Sequence, residues 1–363
     1  MDSEDSTAPF SSDTIVSTVT SIMLVKNQFF REDGSLEFEI TGSKTLKKDF
    51  EALMKILKPK GYFAILRKGE NNITLRVGSF DYGKNDRSFK PIALLILTIV
   101  TVAIDGYFRT PSIPGYNPVY TIILYVAGVM GIIGFHELSH KMASARHGMK
   151  TSNPYFIPGI PTVLPTFGAF ISSKDPPVNR DALFDLGISG PIAGLIVTLI
   201  VALAGGFTAV SVTMVAADNY GFQSVSVDRL TEFVVLLFNN PSKDTVVTLS
   251  PLSFAATLGF LITFLNLMPA WQLDGGHIAG AVLSRRQHYF ATLLSIAILV
   301  MLGFWVMALF VFILSRRNPE ARPLDEVSEL SQSRKIAFGG VIILIIAIYF
   351  FAIAGNPYFA LNF

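Results

Sequence analysis

The chain of 363 residues is 51% hydrophobic and only 15% charged, with a mean hydropathy of +0.50. Soluble domains carry about 25% charged residues, so this is the composition of a membrane protein. A net charge of +2 selects neither nucleic acid nor any other strongly charged partner. With no cysteine, disulfides and thiolate ligands are excluded, and a bound metal would have to use imidazole and carboxylate.

Residues 1–13 are acidic and polar and predict a disordered N-terminus; without a basic stretch and a following apolar one, they do not read as a cleaved signal peptide. Residues 14–90 predict a small cytoplasmic α+β accessory domain. "NQFFREDGSLEFEITG" holds two short strand-like runs around Glu32-Asp33-Gly34. Leu46, Phe50, Leu53, Met54 and Leu57 then recur at helical spacing up to Pro59-Gly61. "YFAILRKGENNITLRVG" reads as a hairpin. No catalytic constellation stands in this part. Residues 1–90 hold 14 of the 29 Lys+Arg and 13 of the 27 Asp+Glu, and this break in charge density places a boundary near Lys90-Pro91.

From residue 91 to 363 the chain predicts a membrane domain. Apolar runs recur near the length of a bilayer span, about 20 residues, at 91–107, 118–146, 183–207, 250–270, 288–314 and 336–354. The fold class is therefore an α-helical polytopic membrane protein of about six transmembrane helices with a small N-terminal α+β domain. The run 288–314 contains Gly303 and reads equally as one tilted span or a broken hairpin. Residues 208–249 form a polar connection whose one apolar stretch, "LTEFVVLLF", is too short to span. Between the second and third spans, "NPYFIPGIPTVLPTFGAFISSKDPP" is apolar, rich in proline and glycine, and not helical in pattern.

Orientation follows from basic residues, which favour the cytoplasmic side. The N-terminal domain, the loop around Lys141, Arg146, Lys150, Lys174 and Arg180, and the pair Arg285-Arg286 are expected there. The 208–249 connection, with only Arg229 and Lys243, is expected outside. The rule is obeyed through four spans. It is ambiguous at the fifth, which basic pairs flank on both sides.

Two of only five histidines stand inside the second apolar run, in "GFHELSHKMASARHG". On a helix, His136 and His140 lie one turn apart on one face. They offer two ligands for zinc, with Glu137 beside them as a base. Ionisable groups at membrane depth are costly and are functional candidates by default; the competing reading is a pair of core histidines bonded to backbone. A catalytic zinc needs three protein ligands, so a third must lie elsewhere. "NLMPAWQLDGGH" puts Asp274 at the end of a later apolar run.

Here the chain resembles the site-2 protease family of intramembrane zinc metalloproteases. That family pairs a His-Glu-x-x-His helix with an Asn-x-x-Pro-x-x-x-Leu-Asp-Gly segment. Both patterns stand in full, as His136-Glu137-Leu138-Ser139-His140 and as Asn266, Pro269 and Leu273-Asp274-Gly275. The Ala145-Arg146-His147-Gly148 ending is also family-like. The resemblance covers about residues 118–285, the metalloprotease core. It implies one Zn²⁺ per chain held by His136, His140 and Asp274, with water in the fourth position. It further implies Glu137 as the general base and Asn266 as a donor to the scissile carbonyl or its oxyanion; without it Asn266 reads as a polar cap at a broken helix. Independently, positive-inside reasoning puts His136 to His140 in the cytoplasmic half of their span and Asp274 at the cytoplasmic end of its own, which brings the two motifs level.

Three further features have alternative readings. Gly187, Gly190 and Gly194 of "GISGPIAG" read as close helix packing, which could let helices approach the zinc. "PTFGAFI", residues 165–171, is either a plain loop or a substrate-holding strand; Phe167, Gly168, Ala169 and Phe170 are its candidate contacts. His277 reads as a neighbour of the site rather than a fourth ligand, and His147 and His288 as interfacial.

The function that follows is an intramembrane zinc endopeptidase cleaving transmembrane segments of membrane proteins, with the lipid bilayer as its medium and the active site nearer the cytoplasmic face. The alternative is a non-catalytic zinc-binding membrane protein, either a transporter or a pseudoprotease that binds clients. Intact Glu137 argues against a pseudoprotease, since zinc binding does not need it. Spans that are apolar outside the motifs argue against transport. A metallopeptidase for soluble peptides would take a downstream helix glutamate as third ligand, and the spans contain none.

Overall fold

Alternation of apolar and polar residues builds the N-terminal part. In the computed structural model, which describes residues 11–69, 72–79, 89–109, 117–171, 175–214, 228–242, 244–271, 273–317 and 322–354, α1 (Ser12–Ile22) leads into β1 (Val25–Phe30) and β2 (Leu36–Ile40). Then come α2 (Leu46–Leu57), β3 (Tyr62–Lys68) and β4 (Ile73–Ser79). Ser12 and Asp13, expected to be disordered, already belong to α1, because the Ser11 side chain caps the Thr14 N–H; residues 1–10 lie outside the described ones. The sheet order is β1-β2-β4-β3, antiparallel throughout. Leu36, Phe38 and Ile40 turn inward onto Phe50, Leu53 and Leu57 of α2, while Glu37 and Glu39 face outward.

Long apolar helices follow. They are α3 (Lys90–Arg109), α4 (Pro118–Arg146) and, after the antiparallel hairpin β5 (Tyr155–Ile160) and β6 (Leu164–Phe170), α5 (Arg180–Phe207). A second small hairpin, β7 (Val210–Thr213) with β8 (Thr245–Thr248), brackets α6 (Arg229–Phe238). The chain continues through α7 (Pro251–Leu267), α8 (Asp274–Val282), α9 (Arg285–Met301), α10 (Trp305–Arg317) and α11 (Gln332–Ile348), the last extended by a π-helical turn to Ile353.

Among the described residues four helices are long and apolar enough to cross a bilayer: α3, α4, α5 and the continuous Gln332–Ile353 helix. This is a multi-pass membrane protein. Two of the expected six spans are shorter in structure, and each has a local cause. α7 stops at Leu267 because Pro269 restricts the backbone before it. The run 288–314 is two helices. Gly303, at φ +86°, lets the Gly303 and Phe304 N–H groups turn back to the Val300 and Leu299 carbonyls and end α9.

α5 sits at the centre of the membrane part, packed against α4, α6, α7 and α8, while α7 is buried along nearly its whole length. The N-terminal part is tied to the ends of these helices, chiefly through α2. Lys58 donates to the Gly148 carbonyl just past α4 at 2.5 Å and pairs with Asp175 at 2.6 Å. Asn179, the N-cap of α5, donates to Glu51 of α2, and Lys47 pairs with Asp181 in the first turn of α5. A strap leading into α11 lies between the two parts. Leu324 is buried in the N-terminal core and accepts from the Leu66 N–H of β3, while Leu324 and Asp325 donate to the Pro177 and Val178 carbonyls.

Candidate active site

Helical periodicity brings two candidate side chains to one place, and the packing of a second helix adds the third. His136 and His140 lie one turn apart on α4, both buried, and their Nε2 atoms are 3.0 Å apart. Asp274 faces both, with Oδ2 3.0 Å from His136 Nε2 and Oδ1 3.2 Å from His140 Nε2. Where the sequence suggested the end of a span, the structure puts Asp274 at the first residue of α8, beyond the turn that closes α7. The His140 ring is oriented from behind: its Nδ1 is 2.9 Å from the Leu186 carbonyl of α5, and Ser189 Oγ lies 3.3 Å away. A carbonyl can only accept, so Nδ1 carries the proton and Nε2 presents a lone pair to the site.

These donors fit a metal ion. Ligand atoms around a tetrahedral zinc with bonds of 2.0–2.1 Å lie about 3.3 Å apart, close to the spacing here. The set is two imidazoles and a carboxylate, leaving a fourth position open, as in catalytic rather than structural sites. Among the described residues His136, His140 and Asp274 form the one group of three or more such side chains able to converge on a metal. His277, half-buried and three residues beyond Asp274, is outside it.

Glu137 is 3% exposed, and its Oε2 is buried without a hydrogen-bond partner. A carboxylate oxygen held this way costs free energy unless something in the working enzyme engages it. Asn266 is half-buried in the last turn of α7. The four candidate substrate contacts lie on β6. Between Phe156↔Ala169 and Pro158↔Thr166 this strand carries one extra residue, a bulge in which Gly168 has φ +89°. Thr166 Oγ accepts the Gly168 N–H at 3.0 Å and donates to the Ile157 carbonyl. Phe167 stacks on Phe310 and Phe170 on Tyr155.

The glycines of α5 have a sharper task than packing alone. Gly187 meets the Asp274 carbonyl and the backbone of Ile278, where a β-carbon would come within 2.6 Å. Gly190 faces both histidines, and a β-carbon there would collide with Nε2 of each. Gly194 lies against the His136 ring. With spacings of three and four these form one face of α5, set against the ligand helices α4 and α8. His288 is buried in the first turn of α9, and His147, at the end of α4, pairs with Asp185 of α5 at 2.9 Å.

Sequence comparison agrees with this geometry. The family model for peptidase family M50 matches residues 124–310. The probable zinc metalloprotease EGY2, chloroplastic, of Arabidopsis thaliana is 29% identical over 240 residues, which are 62% of this chain and 41% of that protein. The probable zinc metallopeptidase EGY3, chloroplastic, of the same plant is 26% identical over 289 residues, 74% of this chain and 49% of that protein. The probable zinc metalloprotease EGY2, chloroplastic, of Oryza sativa subsp. japonica is 28% identical, covering 72% and 53%. The chain spans about half the length of the curated relatives it matches. With the match covering just over half of its 363 residues and containing both motifs, the protein belongs to peptidase family M50, the site-2 protease family.

Proposed function

We propose that the chain is an intramembrane zinc endopeptidase that cleaves transmembrane segments of other membrane proteins. The observation that carries this is the convergence of His136, His140 and Asp274 beside the buried, unpartnered Oε2 of Glu137. The three ligands would hold zinc; when bound, zinc supplies Lewis acidity and a nucleophile near neutral pH. Glu137 takes the proton of the attacking water at Oε2 and returns it to the leaving amine. Asn266 donates to the scissile carbonyl as it becomes an oxyanion.

A helical substrate hides its scissile carbonyl in the helix's own hydrogen bonds, so the peptide must be held extended. β6 suits that task, because β5 is its only sheet neighbour among the described residues and its other edge can pair with a peptide by main-chain bonds. That binding asks little of side chains, as suits substrates that share only hydrophobicity. In this reading α7 and the α9–α10 pair complete about six spans, residues 14–90 are the cytoplasmic accessory domain, and the site opens toward the cytoplasmic side.

Replacing Glu137 separates catalysis from metal binding. Glu137→Gln should keep one zinc per purified chain and lower cleavage of a transmembrane substrate in liposomes by 10²–10⁴-fold. Loss of zinc would assign Glu137 to the metal site instead. Near-parental turnover would remove it from the chemistry and favour a binding role.

A further inference from the structure

α3 precedes the residues that match the family and carries none of its motifs, yet it bears a fully buried acid, Asp105. An acid at membrane depth is functional by default, and the mechanism above does not use this one. Its partners show what it holds. Oδ1 accepts the Thr162 N–H at 2.7 Å, Oδ2 accepts the Tyr125 hydroxyl of α4 at 2.5 Å, and Arg109 Nε donates to both oxygens. Arg109 also donates to the Thr162 carbonyl. Thr162 is the turn of the β5–β6 hairpin and stands at φ +69°, a backbone region that β-branched residues rarely adopt. Asp105 and its ion-pair partner thus capture both main-chain groups of the most strained residue in the hairpin. One turn earlier on the same face, Thr101 Oγ is 2.9 Å from the Pro165 carbonyl of β6 and equally far from the Thr98 carbonyl of its own helix, so its one proton is shared between them.

We infer that Asp105, assisted by Thr101, is a positioning residue that mounts the β5–β6 hairpin on α3 and α4 and so sets where β6 presents its edge to substrate. The inference rests on the reading of β6 as the substrate strand. Two bonds four residues apart on a helix fix both the height and the tilt of the strand. The same contact borders a cavity of about 60 Å³ whose walls include Tyr125, Val163 and Leu164 and a face of α7 from Phe254 to Leu265, one residue short of Asn266. A hairpin released at Thr162 would move against that wall. Meanwhile His136, His140 and Asp274 make none of these bonds, so metal binding should not register the change.

The test uses Asp105→Asn, which retains one acceptor oxygen and the side-chain volume, and Thr101→Val, which keeps the shape and removes the hydroxyl shared by the Pro165 and Thr98 carbonyls. In the intact 363-residue chain in detergent, amide exchange across residues 158–166 should quicken at least tenfold in Asp105→Asn and less in Thr101→Val. KM for a transmembrane substrate should rise at least fivefold, kcat should stay within twofold, and zinc should remain at one per chain. If Asp105→Asn fails to fold, Thr101→Val carries the same two readouts. Unchanged exchange would show that α3 does not hold the hairpin, and a loss of zinc would show a general structural role; either overturns the inference. Faster exchange with unchanged KM overturns the positioning role as well. Prolines placed in β6 then tell which reading failed: if they abolish turnover, the strand still binds substrate and only the mount is wrong.

Discussion

The shape of the candidate metal site depends on atoms outside its three donor side chains. Leu186 sets the His140 tautomer through its carbonyl, and Gly190 leaves the space into which both imidazoles project. Gly187, three residues earlier on the same face, lies against the Asp274 carbonyl and the α8 backbone, so a side chain at Gly190 could be admitted only by also moving α5 away from α8 or by displacing the imidazoles. Gly190→Ala should therefore lower zinc affinity at least tenfold, the range seen when groups supporting a ligand are disturbed. Helix content should stay at the parental level, since alanine is the better helix former. Competition with a chelating dye measures the affinity and circular dichroism the fold; parental affinity would show that α5 yields freely. Ser139, which donates to the Ser189 carbonyl at 2.9 Å, adds a second tie between the same two helices.

In the proposed reading the elements divide the work of holding substrate and metal between helix and strand. Helices α4 and α8 carry the candidate ligands, while β6 offers backbone, whose N–H groups alternate in direction along the strand. Within Phe167–Phe170 the Gly168 N–H is already spent on Thr166. Of the other three, Phe167 lies in the bulge, while Ala169 and Phe170 are paired in register with Phe156 and Tyr155, so one of their two N–H groups points away from β5. Proline at that position should cut cleavage of a transmembrane substrate at least tenfold while zinc content and thermal midpoint survive; proline at the other should be milder. If neither Ala169→Pro nor Phe170→Pro changes turnover, β6 does not hold the substrate.

At the scale of the whole molecule, α2 and the turn after it grip the end of α4 through Lys58 and the start of α5 through Lys47 and Glu51. The strap containing Leu324 and Asp325 joins β3 to the segment entering α5, and Arg334 of α11 pairs with Asp181 and Asp185. These ionic contacts gather on one side of the helices, where the lysine and arginine excess predicts the cytoplasm. The cysteine-free chain makes a direct test possible. With an impermeant thiol reagent on intact cells, Ser242→Cys should be labelled and Ser79→Cys should not. The opposite pattern would invert the orientation and move the site to the far half of the bilayer.

How much of this was legible in the sequence follows from the range of the forces involved. The pairing of His136 with His140 follows from helical period, a local property set by hydrogen bonds four residues apart. The run of strands and helix in residues 25–79 likewise shows in side-chain alternation. Gly303 marked a possible break in the fifth run, but length alone could not choose between one helix and two. Asp274 as the partner of the histidines was available only through family resemblance, since no spacing rule reaches across more than a hundred residues. Nothing local announced Asp105 as the anchor of the hairpin, Leu186 as the support of His140, or Leu324 as part of the N-terminal core. Apolar helices look alike in sequence whichever neighbour they meet. Which glycine face of α5 lies against α4 and α8, and which carbonyl stands behind His140, was decided only when the helices packed, because close approach depends on the shapes of both surfaces at once.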